Sequence, residues 1–558
     1  MATLAAIRRL RPTNKSAYNH LTRYASTATL DIDDYEEPAK IARNPVPDFA
    51  DSQSAYKPKS NAELLRAAAC FRLCQIPILV SNADSLLRLS RKISPTATDQ
   101  ILKATLYGHF CAGEDRERIQ PVIDSLNNFG VGAILDYAAE SDDPSTTAQQ
   151  EASKLSSWDE APLQATSAVA REYDYESESQ CDKHVDTFLK CINDVAAGSD
   201  DGYAAIKVTA LGNPKLLARV SQAFDEARLL FAKFDMNGDG LIDREEFEQG
   251  YRHYFNVDES TLKNVLDEFD PNNTGTIDYI TWSMMLEPKD LPKITSNCKE
   301  VGPLAKATPT DEELELIEAM YQRGYDLAKE ADRVGTRLLI DAEQVRYQPA
   351  IDGLVLDMQR QYNCAETTQK AIIYNTYQCY LKDAKQRLET DVQRAERFGY
   401  HFGAKLVRGA YMESERELAE SNGVPSPIFD TIEDTHANYD KAVDFLLKHS
   451  TTSDLEVEIM LASHNQSSIE TAIESMNKYN VHRKSPTICF AQLYGMSDHL
   501  SFNLGKHDYR VYKYLPYGEV GEVMPYLLRR ANENSAIAAG TASEYGMVKE
   551  EIGRRLKA

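Results

Sequence analysis

Two arginines stand side by side in PYLLRRANENS, residues 525–535: Arg529 and Arg530. On a surface the pair is solvated charge and little else. In a pocket, two guanidinium forks demand an anion, and a carboxylate meets such forks with both oxygens. Neighbours on a helix point about 100° apart, so the two converge only if their helix end faces a cavity. Tyr526 shares that side, and Glu533, one turn after Arg530, is placed to hold it. A second group of residues is suited to a metal. In FDMNGDGLIDREEF, counting from Asp235, oxygen donors fall at Asp235, Asn237, Asp239, Asp243 and Glu246, with the Leu241 carbonyl between them. Gly240 permits the sharp turn. The spacing is that of an EF-hand loop for a hard cation and predicts one Ca2+, with a metal-free relic as the alternative. A second loop, DPNNTGTIDYIT, keeps Asp270, Asn272, Thr274, Gly275, Thr276 and Asp278, but Thr281 stands where a bidentate Glu is needed. It is either a weak ion site or a partner that only packs.

Two further stretches end apolar runs with polar chemistry. KLVRGAYMESE places Gly409, where the backbone can pass close to another group, before Tyr411. LASHNQSSIE places His464 and Asn465 before Ser467 and Ser468, which can cap a helix. His464 is open to a core or capping role as well as a site role, and Glu470 shows no metal-ligand spacing with it.

Such residues need a frame. Short apolar runs recur at 131–137, 204–211, 336–343, 371–378, 403–411, 456–465, 487–495 and 509–518, with amphipathic helical runs between them. Strands alternating with helices predict an α/β protein, a distorted (β/α)8 TIM barrel, with an open doubly wound sheet as the rival. No GxGxxG follows a strand, which removes the main mark of a Rossmann site. In a barrel, Lys207, Asp341, Tyr411, His464 and Gln492 face one mouth. The expected division is a targeting segment at 1–30, a linker and helices at 31–105, barrel at 106–213, an all-helical EF-hand pair insertion at 214–310, barrel again at 311–545, and a tail at 546–558.

Composition bounds the function. The chain has 558 residues and a net charge of −24, which argues against a broad nucleic-acid surface and leaves only a local basic patch open; no nucleic-acid partner is expected. Nine cysteines form no CxxC pair, so neither a zinc site nor a disulfide framework is expected. No apolar run has the length of a membrane span, and peripheral membrane contact stays open. The first thirty residues carry Arg8, Arg9, Arg11, Lys15 and Arg23 and no acidic residue, with many Ser, Thr and Ala. This is the pattern of a mitochondrial leader, with a plain basic tail as the alternative.

Taken in order, KLVRGAY, ASHN, QLYGM, YLPYG and YLLRRANENS resemble the proline dehydrogenase, or mitochondrial proline oxidase, family. YGHFCAGED, GVGAILDYAAESD, IKVTALGNP and LLIDAE extend the likeness over nearly all of 100–540 outside the insertion. The resemblance implies a distorted barrel holding FAD non-covalently at the strand C-termini. It implies oxidation of L-proline to Δ1-pyrroline-5-carboxylate, with electrons passed to ubiquinone on the matrix side of the inner mitochondrial membrane. By the same resemblance Arg529, Arg530 and Lys207 bind the substrate carboxylate. Asp341, Tyr411 and Tyr526 line the pocket, and Tyr514 packs on the proline ring. Gln378, Lys405, Arg408, Thr431, His464, Gln492 and Glu533 fall at flavin-site positions. Hydroxyproline-specific relatives carry a small residue at the place of Tyr514, so this chain is expected to prefer proline. Two other readings are a hydroxyproline oxidase and a calcium-sensing scaffold that has lost catalysis. The sequence presents no convincing catalytic base, so water is left to take the amine proton before binding.

Overall fold

A strand buried on both faces reads as a continuous apolar run rather than an alternating one, and eight such runs close on themselves here. The computed structural model describes residues 43–137, 175–199, 201–271, 273–284, 287–536 and 538–557. The basic leader at 1–30 and Asn272 of the second loop lie outside the described residues. Ahead of the barrel come helices α1 (Asn61–Cys74) and α2 (Ala83–Ile93). A reciprocal cap starts α1: Ser60 accepts the Glu63 N–H while the Glu63 side chain accepts the Ser60 N–H. Helix α2 is unlike it and fully buries none of its residues.

β1 (Val131–Tyr137) and β2 (Tyr203–Ile206) are followed by α3 (Pro214–Phe234), which runs out of the barrel. The chain then forms β3 (Leu241–Asp243), α4 (Arg244–Tyr254), α5 (Glu259–Phe269), β4 (Thr276–Asp278) and α6 (Tyr279–Met284). It returns through the long helix Asp311–Val334 to β5 (Arg337–Ile340) and β6 (Ile373–Gln378). α7 (Ala384–Phe398), β7 (Phe402–Val407), α8 (Ile432–His449) and β8 (Val457–Ala462) come next. β9 (Ile488–Leu493), β10 (Val511–Tyr517) and α9 (Met524–Ala536) complete the frame.

The barrel order is β1-β10-β9-β8-β7-β6-β5-β2, all pairs parallel. First and last strands close it, in register from Val131↔Val511 to Tyr137↔Tyr517. Each expected apolar run overlaps a strand, but several strands stop early. The second ends at Ile206 because Val208–Ala210 turn into a short 3-10 helix, and β7 ends at Val407. The residues beyond leave the ladder and form the rim. Gly409 has φ +139°, and a Cβ there would lie 2.5 Å from the Tyr380 ring, so only glycine fits.

The stretch from α3 to α6 carries its own apolar core, with Phe234, Ile242, Phe247, Phe269, Ile277 and Trp282 at its centre. β3 and β4 pair antiparallel, Leu241↔Asp278 and Ile242↔Ile277. In the loop before β3, Asp235 accepts the N–H groups of Gly238, Asp239 and Gly240, and Glu246 accepts those of Met236, Asn237 and Asp243.

Candidate active site

All eight strands run in parallel, so their C-terminal ends share one rim, and four side chains meet there. Lys207 follows β2, Asp341 follows β5, Lys405 lies on β7 and Tyr514 on β10. Asp341 is the hub. It accepts hydrogen bonds from Lys405 and, at 3.0 Å, from Tyr514, and Lys207 Nζ lies 4.0 Å away. Burial alone would raise the Asp341 carboxyl. The charges of Lys405 and Lys207 outweigh it, helped by the two hydrogen bonds, and hold the group below the ordinary range. Burial, then the nearby carboxylates of Asp136 and Asp341, push the Tyr514 hydroxyl well above its usual value, so it serves as a donor.

Helix α9 brings the arginine pair. Arg530 is 3% exposed, and Arg529 is half-buried. Arg530 donates to Glu533 at 2.7 Å and lies over the Tyr526 ring, 4.9 Å from its centroid. Its Nε and the Tyr526 hydroxyl are buried without a hydrogen-bond partner among the described residues. A buried unsatisfied donor costs roughly 1–3 kcal/mol. Such donors side by side suit a ligand bearing acceptor oxygens.

Across the rim sits a different cation. Arg408 donates to His436 Nδ1 (3.0 Å), to Ser463 Oγ and to Ser468 Oγ (2.8 Å), and it lies over the Tyr439 ring. Each of these partners is neutral or an acceptor, and none of the ion pairs among the described residues includes Arg408. Its charge is therefore available to an anionic group. Gln378 donates to the Glu343 carbonyl at 2.8 Å and accepts the Ala410 N–H. Gln492 donates to the Ser463 carbonyl and accepts from Ser501. His464 accepts the Leu493 N–H on Nε2 and meets Ser497 Oγ at 3.1 Å on Nδ1. That assigns the neutral Nδ1–H tautomer and commits both ring nitrogens. Tyr411 is buried, with its N–H directed to Tyr380. Thr431 stands apart from the hub: it is exposed and caps α8 by accepting the Asp434 N–H.

Among the described residues, no group of three or more His, Cys, Asp or Glu side chains is gathered to hold a metal. Nor is any helix among them long and apolar enough to cross a membrane. The family model for proline dehydrogenase matches residues 119–543. The chain belongs to the proline dehydrogenase family. It is 37% identical to "Proline dehydrogenase 1, mitochondrial" of Homo sapiens, over 93% of this chain and 92% of that protein. It is 29% identical to "Hydroxyproline dehydrogenase" of Xenopus laevis, over 91% and 90%. A crystal structure of proline utilization A from Bdellovibrio bacteriovorus, inactivated by N-propargylglycine, shares the fold with a TM-score of 0.50 at 15% identity. That alignment covers 87% of this chain but only 38% of that larger protein.

For a member of the proline dehydrogenase family, several rim residues escaped sequence reasoning. Glu343 is fully buried and accepts both the N–H and the hydroxyl of Thr209, tying the loop after β5 to the loop after β2. It lies inside LLIDAE, so a signal was present. Ser463 precedes His464 directly. His436 has no local signal, because its partner Arg408 is 28 residues away.

Burial first, then the charges of Lys513 and Arg530, push His464 down to about 3. In the unfolded chain it titrates near 6.5. Between those values the unfolded state binds the extra proton, so this residue's contribution to stability is lost as pH falls below 6.5. Glu544, raised by burial to about 7, works in the opposite direction. A difference measurement isolates the histidine. The stability advantage of the parent over His464→Gln is expected to shrink by up to about 2 kcal/mol between pH 7 and pH 5. Denaturant titrations at the two pH values check it, and a constant difference would mean that His464 titrates alike in the native and unfolded chains.

Proposed function

We propose that the chain oxidises L-proline to Δ1-pyrroline-5-carboxylate with FAD as cofactor and ubiquinone as final acceptor, the first step of proline catabolism. The observation that carries this reading is the buried Arg530 beside Tyr526, both with donors left over, in a chain whose family is that of the proline dehydrogenases. Arg529, Arg530 and Lys207 take the substrate carboxylate. Asp341 holds Lys207, Lys405 and Tyr514 in place, and Tyr411, Tyr514 and Tyr526 wall the ring and exclude water. Arg408 suits an anionic part of FAD, since its present partners are neutral. Gln378, Lys405, His464, Gln492 and Glu533 complete the cofactor site, and Thr431 opens the helix that brings His436 to Arg408. When bound, FAD supplies the two-electron acceptor. The substrate gives up a hydride equivalent from its Cδ and a proton from nitrogen, and a C=N bond forms. His464 has no lone pair to spare, so water takes the amine proton before binding.

Tyr514 favours proline over its 4-hydroxy analogue, because its ring is anchored through Asp341 and leaves no small-residue gap. Turnover on the two substrates tests that choice. The decisive experiment is an absorption spectrum of purified protein before and after anaerobic L-proline. Flavin bands that bleach are expected. A folded preparation with no flavin and no capacity to take it up would sink the proposal.

Residues 1–30 are proposed to direct the chain to the mitochondrial matrix, and α2 to meet the inner membrane. Leu86, Leu89 and Ile93 form one stripe on that helix, with Leu89 58% and Ile93 78% exposed, and Arg88 and Lys92 flank it. Leu87, on another side, packs with the cluster containing Tyr526, so the stripe lies beside the site. An anionic lipid surface fits apolar residues with basic neighbours in a chain otherwise strongly acidic. Leu86→Glu/Leu89→Glu/Ile93→Glu is expected to abolish flotation with cardiolipin-containing vesicles and to leave dye-coupled activity intact. Equal flotation would remove α2 from the contact.

The stretch 214–310 is proposed to be an inserted EF-hand pair whose first loop takes one Ca2+ through Asp235, Asn237, Asp239, Leu241, Asp243 and Glu246. Gly240 has the left-handed backbone its position requires, φ +85°. Calcium titration against Glu246→Gln, which removes the bidentate ligand, tests it.

A further inference from the structure

The two loops of the insertion differ in a way their sequences do not announce. Neither Asp235, Asp239, Asp243 nor Glu246 takes part in any ion pair found among the described residues. Asp278 of the second loop does. Arg397, near the end of α7 on the barrel, donates to both of its carboxylate oxygens, through Nη1 to Oδ1 at 2.9 Å and through Nη2 to Oδ2. The same Nη1 reaches Thr281 Oγ1 at 3.2 Å. These are the ninth and twelfth loop positions, two of the places that would face an ion. One turn earlier on α7, Arg394 directs both terminal nitrogens at Ser283 Oγ, 3.2 and 3.1 Å away.

We infer that Arg397 is the resident cation of the second loop: the barrel's own guanidinium occupies that loop's oxygens, excludes a second metal, and fastens the insertion to the barrel. The inference rests on reading 214–310 as a loop pair. A guanidinium that holds a carboxylate with two parallel bonds has an oriented grip that a lone ammonium lacks. Burial would raise the Asp278 carboxyl, but the hydrogen bond from Arg397 and those from Thr281 hold it at about 2, so the pair stays charged through the physiological range. The fastening also lies next to the first loop. Leu241, whose carbonyl belongs to the first ligand set, pairs across the ladder with Asp278. Helix α7 in turn joins β6, which bears Gln378, to β7, which bears Lys405. Order in the first loop is thus one ladder step from the contact that docks the unit beneath two rim strands.

The test uses the full chain. In chelator, Arg397→Met is expected to speed hydrogen exchange of the amides at 276–284 by up to about fivefold, with β6 and β7 unchanged. Arg397→Lys, which keeps charge but loses the fork, falls between. Arg397 is 41% exposed at its side chain, so its replacement leaves the barrel core alone. Calcium titrations form the second arm. Parent and Thr281→Glu should each bind one ion, and Thr281→Glu/Arg397→Met should bind two. Unchanged exchange in Arg397→Met, or a second ion in Thr281→Glu with Arg397 in place, overturns the inference. If no variant binds calcium, the first-loop reading fails and the exchange result alone decides the clamp.

Discussion

Arg530→Met is expected to lower kcat/KM for L-proline by roughly two to three orders of magnitude, with flavin content close to that of the parent. The size follows from what is removed. Charged hydrogen bonds contribute about 1.5–3 kcal/mol each, and a fork gripping a carboxylate makes two of them. About 3–4 kcal/mol corresponds to roughly 10²–10³ in rate constant ratio. The carboxylate does not change charge as the ring is oxidised, so its binding is uniform along the reaction and the loss should fall on KM more than on kcat. Flavin content should hold because Arg408, Gln378 and Gln492, proposed above for the cofactor, sit on other elements with partners of their own. Arg530→Lys should retain charge and lose the fork, with a smaller effect of about tenfold. Steady-state kinetics and the visible spectrum of each variant check this. Parent-like kinetics in both would mean that Arg530 serves Glu533 and Tyr526 alone.

Asp341→Asn should remove about 3–5 kcal/mol of folding stability, the range for stripping one member from a buried charged group. Lys207 and Lys405 are 7% and 5% exposed and converge on this carboxylate. With an amide in its place, two buried ammonium groups lose the carboxylate on which they converge. The Tyr514 hydroxyl loses one of its two charged acceptors, Asp136 being the other, so activity should fall with stability. The pH dependence has a definite sign. Asp341 titrates below its ordinary value in the folded chain, so its contribution is present above the unfolded carboxyl value of about 3.9 and is lost as pH falls through the lower native one. Parent and Asp341→Asn should therefore differ fully at pH 7 and converge only in strong acid. Asp341→Asn/Lys405→Met should recover part of the loss by removing one of the two buried ammonium groups. Denaturant midpoints for the three proteins decide the matter, and a difference under about 0.5 kcal/mol between parent and single variant would show that Asp341 is no hub.

Arg397, Arg408 and Asp341 illustrate where sequence reasoning stops. Each lies near a motif that was legible, and each has partners that were not. Arg397 reaches Asp278 across 119 residues, Lys405 reaches Asp341 across 64, and Tyr514 reaches Asp341 across 173. No local spacing encodes such pairs.

What the sequence determined by itself was everything with a short period. A strand covered on both faces must be apolar throughout, so VGAILDY and the other runs announced the strands, and the polar residue closing each run marked the rim. The twelve-residue spacing from Asp235 to Glu246 marked a candidate oxygen set, since the pattern lies within one short stretch of chain. Tertiary structure decided the rest. It set which of two adjacent arginines turns fully inward, because helix neighbours diverge and only packing against Phe110, Cys111 and Met496 orients α9. It sent Thr431 to a helix cap, gave His464 its tautomer, and supplied the second loop with Arg397. All of these depend on β1 closing against β10, a contact between chain segments hundreds of residues apart whose geometry exists only once the barrel is shut.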